Sequence, residues 1–128
     1  MRNNIGELKI LKNIRRQQQL LKQELISYKI TSASDLQTSR IGYAARRGLV
    51  QMVGDIFELT KNLKDATINK INFSRIIIRE FRNTASHNYG VLTNEFALGC
   101  IKHCISNELI QSIDNEIVRL EKEMRVEE

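Results

Sequence analysis

Between Arg82 and Tyr89 the chain places an arginine, an asparagine, a histidine and a tyrosine in one short run, Arg82-Asn83-Thr84-Ala85-Ser86-His87-Asn88-Tyr89. An imidazole titrates near neutrality, so His87 can take a proton and return it. Arg82 is a permanent cation whose planar fork matches phosphate oxygens. Together they form a minimal set for cleaving RNA. The histidine would deprotonate a ribose 2′-hydroxyl, and the arginine would stabilise the charge building on a pentacoordinate phosphorus. The nucleophile already sits in the substrate, so this chemistry calls for no metal and no cofactor.

Helical geometry constrains the pair. Five residues turn an ideal helix through about 500°, which leaves positions 82 and 87 about 140° apart. Either the helix unwinds near Ser86, or an arginine and a histidine from two chains complete each other across a dimer axis. Tyr89 returns to the arginine's side if the helix continues. Spacing alone would equally fit a surface ion pair and a half-buried histidine.

The elements that must carry this run read as helices. Apolar residues recur at three- and four-residue steps throughout, and the chain has no proline, six glycines and 5% aromatic residues. The pattern predicts an all-α, up-down bundle of about four helices with an aliphatic core, built as one domain over residues 1–128. The first helix is expected over residues 4–29, with Leu8, Leu11, Ile14, Leu21, Leu25 and Tyr28 on its buried stripe and Gln18 filling one position of it. The second is expected to be capped by Ser34 or a nearby hydroxyl and to run to about Leu63, burying Ala45, Leu49, Met52, Ile56 and Leu59 along with Ile41. Gly42, Gly48 and Gly54 lie within it. Each costs about 1 kcal/mol of helix propensity, which suggests close approach of a neighbour; Gly42, Ala45 and Gly48 would also suit a dimer contact. After a connector that tucks in Ile68 and Ile71, a third helix capped by Asn72 buries Ile77, Phe81 and Ala85 and delivers the motif. A fourth, starting at Thr93 or Asn94, carries one stripe unbroken from Leu98 through Ile105 and Leu109 to Met124.

The motif Arg82-Asn83-x-x-x-His87-x-Tyr89, following Ile71-Asn72-Phe73-Ser74-Arg75-Ile76-Ile77, resembles the HEPN superfamily, above all its HepT-like branch. That resemblance implies a helical bundle that dimerises with its two motifs facing one cleft, and a metal-independent ribonuclease acting as the toxin of a toxin–antitoxin pair. It implies that Arg82 and His87 are the catalytic pair and Asn83 a supporting group. Tyr89 would be the residue that a minimal nucleotidyltransferase antitoxin adenylylates to silence the toxin. The alternative is a non-catalytic helical subunit that presents substrate or nucleotide to a nucleotidyltransferase.

Charge agrees with a polyanionic partner. The net formal charge is +5, and residues 1–47 hold ten Lys and Arg against three acids. Arg75, Arg79 and Arg82 fall on one helix stripe as RNA-binding candidates, with Arg46 and Arg47 on the preceding helix as weaker ones and Asp55 and Glu58 available to orient them. Cys100, His103 and Cys104 supply too few convergent ligands for zinc and read as buried thiols beside Ile101 and Ile105. No apolar run reaches the ~18–20 residues of a membrane span, no apolar signal core begins the chain, and two cysteines make no disulfide framework. The expected location is the cytoplasm.

Overall fold

The computed structural model describes residues 3–36, 40–87 and 92–127, and the side chains of all of these except 3, 40–43, 85–87, 126 and 127. The described residues contain no strand. They form α1 (Asn3–Ser27), a 3₁₀ turn (Ala33–Leu36), α2 (Arg40–Thr60), a one-turn α3 (Asp65–Ile68), α4 (Arg75–His87), α5 (Asn94–Cys104) and α6 (Asn107–Glu127). The all-α bundle expected from periodicity is therefore present.

Helix α1 is the spine, packed between α2 and α6. Its side-chain partners on α6 descend as it ascends: Asn4 with Glu123, Lys12 with Glu121, Arg15 with Asp114. The two helices are antiparallel. Leu11, Ile14, Leu21 and Gln18 of α1 are fully buried, as are Ile56 of α2, Ile101 of α5, and Leu109 and Ile113 of α6. Tyr28, expected on the buried stripe, is 42% exposed because α1 stops before it. Lys29 adopts φ 56°, while the Lys29 and Ile30 amides donate back to the Ile26 and Leu25 carbonyls. That is a Schellman ending, with buried Ile30 folded back over the last turn. Asp35, rather than Ser34, organises the link that follows. Its carboxylate accepts from the Thr31 and Ser32 amides and the Thr31 hydroxyl, and these bonds hold its pKa below the usual carboxylate value. Ser34 bonds with Ser32 and lies well before α2, so it does not cap that helix.

The core is less aliphatic than composition suggests. Phe57 meets the rings of Phe73 and Phe81 edge-on, with centroids 6.3 and 5.2 Å apart. A Cβ at Gly54 would lie 3.6 Å from the Phe81 ring, an ordinary contact, and one at Gly48 would meet nothing within 4 Å. The close approach inferred from the glycines is therefore not required at either position. Ala45 is buried within the chain while Gly48 is exposed, so these two share no surface for a dimer; the surroundings of Ile41 and Gly42 lie outside the described side chains.

Two further helix boundaries differ from expectation. The third main helix begins at Arg75, capped by Ser74, whose hydroxyl accepts from the Ile77 amide at 3.2 Å. Asn72 instead donates its amide to the Ser112 hydroxyl. The single long last helix is two, broken at Ile105–Ser106. Thr93 caps the first as expected, and Ser106 caps the second through the Leu109 amide. At the break, the buried Gln18 amide donates to the Cys104 carbonyl at 2.7 Å, satisfying a group that the end of α5 leaves open.

Candidate functional site

Helix α4 begins where two separated elements pin its start. Besides the Ser74 cap, His103 of α5 accepts the Ser74 amide on Nε2 at 3.0 Å and sets its ring edge-on to Phe73. Burial lowers the His103 pKa, keeping the imidazole neutral as that acceptor requires. From this start the helix stays regular through His87. It does not unwind near Ser86, so positions 82 and 87 remain about 140° apart on one helix.

Arg75, Arg79 and Arg82 line one groove, as their spacing predicts. The facing wall is Thr60, Lys61 and Leu63, where α2 ends and the chain turns toward α3. The groove is open and has a volume of about 310 Å³. Buried Glu7 of α1 holds that wall in place by accepting the Lys64 amide at 2.8 Å and the Thr67 hydroxyl at 2.6 Å. Sequence reasoning missed this wall, because it faces α4 only once α2 and α4 have packed.

Arg82 is half-buried. Its Nη2 donates to the Phe57 carbonyl at 2.8 Å, and the Thr60 hydroxyl donates to the same oxygen. Its Nε is buried with no hydrogen bond, the one such side-chain atom among the described residues. Arg75 is exposed, and its guanidinium is held by the Asn69 side-chain oxygen at 2.5 Å. The orienting role expected of Asp55 is not seen, since it accepts from Gln51; Glu58 pairs with Lys61 at 2.8 Å and acts on Arg82 only as a weaker neighbouring charge. Asn83 is exposed. His87 closes the helix, but its side chain, like Tyr89 and the Asn88-Tyr89-Gly90 turn, lies outside the described residues.

Arg46 and Arg47 stand apart from the groove, lining with Val50 and Gln51 a separate hollow of about 210 Å³. Arg46 acts as a tether: it donates through Nε to Asn94 at 2.9 Å and through Nη2 to the Leu92 carbonyl, fastening α2 to the start of α5. The two cysteines are free, buried thiols. Burial pushes Cys100 up to about 11 and Cys104, beside it, higher still. His103 turns away from them to Ser74. Among the described residues no group of three or more His, Cys, Asp and Glu gathers to hold a metal, and no helix is long and apolar enough to cross a membrane. No family model matches the chain, and neither a curated protein nor a solved structure matches it, so what can be said of the site comes from its own residues.

Proposed function

We propose that the chain is a HepT-like, metal-independent endoribonuclease of a toxin–antitoxin pair. His87 takes the proton of a ribose 2′-hydroxyl, whose oxygen attacks the adjacent phosphorus. Arg82 stabilises the pentacoordinate phosphorane as it forms. The bond to the 5′-oxygen then breaks, that oxygen takes a proton from water, the hydroxide left behind takes the proton held by His87, and a 2′,3′-cyclic phosphate remains. The observation that carries the reading is the arginine stripe: Arg75, Arg79 and Arg82 line one groove on the helix whose last residue is His87.

The regular course of α4 favours the two-chain form of this site. Positions on opposite sides of one helix serve one phosphate most simply when the arginine and histidine come from two protomers of a homodimer. Asn83 supports the pair, and Tyr89 takes the nucleotide that the partner nucleotidyltransferase adds. A nucleotide phosphate two residues from the imidazole brings like charge and bulk against an RNA backbone.

The test is cleavage of total RNA in EDTA, wild type beside His87→Ala. Loss of a general base lowers the rate by about 10²–10⁴, so only the wild type should cut. Equal cleavage by both proteins would refute the assignment of His87. No cleavage by either, from protein whose mass shows Tyr89 unmodified, would favour the non-catalytic partner subunit.

A further inference from the structure

We propose that the groove along the first half of α4 grips the phosphate backbone of single-stranded RNA on one side of the cleaved bond, and does so without reading the bases. The identity of the strand rests on the ribonuclease reading; the groove itself does not. Arg75, Arg79 and Arg82 spread their charge over about 10 Å of helix axis, enough to follow a strand rather than hold one ion. Two of the three are held in place, Arg82 by the Phe57 carbonyl and Arg75 by Asn69. Side chains already ordered lose less freedom when a ligand arrives.

The rest of the lining defines what is gripped. Among the described residues Lys61 adds a fourth cation from the opposite wall, while Asp65 is the one carboxylate lining the groove. Lys61 is paired with Glu58, but both side chains are exposed, at 49% and 63%. Such a pair is weak and yields to a polyanion. Among the described residues the apolar lining is Leu63, Ile68 and Ile78, with no aromatic ring. Base stacking on aromatic platforms is how single strands are usually held by their bases; without one, binding falls to the phosphates, which carry no sequence. In-line attack by a 2′-hydroxyl needs a backbone that is not locked in an A-form duplex, so the strand beside the cleaved bond is single. Among the described residues the last α4 side chain lining the groove is Arg82, the arginine of the motif.

The experiment uses a fluorescent single-stranded RNA fully 2′-O-methylated, which cannot be cut because its nucleophile is capped. Its anisotropy is followed in EDTA across a salt series. Each backbone contact to a single strand contributes about 0.7 to the slope of log K against log salt. Arg75→Gln with Arg79→Gln should therefore flatten the slope by about 1.4 and weaken binding at least tenfold at low salt, while Arg75→Lys with Arg79→Lys keeps most of the slope. Both arginines are exposed, so thermal melts should coincide and exclude misfolding. Equal affinity and slope for wild type and the double glutamine variant would overturn the proposal. So would a duplex that competes as well as a single strand, or homopolymers of different bases that bind with very different affinity. Because the probe cannot be cleaved, the two readings fail separately. Binding without cleavage of ordinary RNA removes the ribonuclease and keeps the groove. Cleavage with KM unchanged in the glutamine variant keeps the ribonuclease and removes the groove.

Discussion

Replacing Gln18 should destabilise the bundle in a way that separates a hydrogen bond from a volume. Gln18 is fully buried on α1; its Nε2 donates to the Cys104 carbonyl at 2.7 Å, and its Oε1 accepts from Arg15 at 3.3 Å. Gln18→Leu keeps the volume but orphans that carbonyl at the end of α5, for about 1–3 kcal/mol. Gln18→Ala orphans it and also opens a cavity, which adds a transfer and cavity penalty of about 1–2 kcal/mol for the methylenes removed. Against the ~5–15 kcal/mol of a domain this size, the alanine variant loses a large fraction. The assay is urea unfolding. With a slope of about 2 kcal/mol/M, the leucine variant should fall by roughly 1 M in midpoint and the alanine variant by roughly 1.5–2 M, at unchanged slope. A leucine variant as stable as wild type would refute the reasoning, because it would mean that the bond to Cys104 contributes nothing.

Two further predictions concern titratable groups. Burial lowers the pKa of His103 in the folded state, so the unfolded chain binds its proton first. The contribution of His103 is therefore complete above its ordinary value of about 6.5 and is lost as pH falls from there toward the lower folded value. Protonation also removes the acceptor for the Ser74 amide and sets a cation at the positive end of α4. Urea midpoints at neutral and mildly acidic pH should diverge for wild type and converge for His103→Gln; an equal pH dependence in both would refute the assignment. The thiols of Cys100 and Cys104 are buried, with their pKa values raised. A chromogenic thiol reagent at mildly alkaline pH should leave both untouched in native protein and label both in denaturant, and rapid native labelling would contradict their burial.

Periodicity was enough to find the main helices and most of the core, because each apolar stripe is a local pattern. It was not enough where a partner decides the local outcome. The stripe from Ile101 through Ile105 to Leu109 continues in phase across the break, and the residue that closes α5 is Gln18, 86 positions away. Ser106 opens a second helix there by accepting the Leu109 amide, a start that the unbroken stripe concealed. The sequence pointed to Asn72 as the cap of α4; Ser74 takes that place, and its amide is held by His103 of α5. In the site, the arginine stripe was legible because it lies on one helix. Lys61 and Glu7 were not, since their roles appear only when three segments meet.

The antiparallel pairing of α1 with α6 has a consequence for how the molecule can be taken apart. In a stack of repeats, an end unit can be removed and the rest survives. Here the first and last helices are each other's neighbours, joined from Asn4–Glu123 to Arg15–Asp114. Trimming either flank opens the same seam and uncovers Leu11 and Ile14 on one side or Leu109 and Ile113 on the other. The bundle has no dispensable end. The same closure sets the beginning of α1 beside the end of α6, so a short linker could join them and a new opening be made in the exposed turn at Asn69–Lys70, leaving the α1–α6 seam intact.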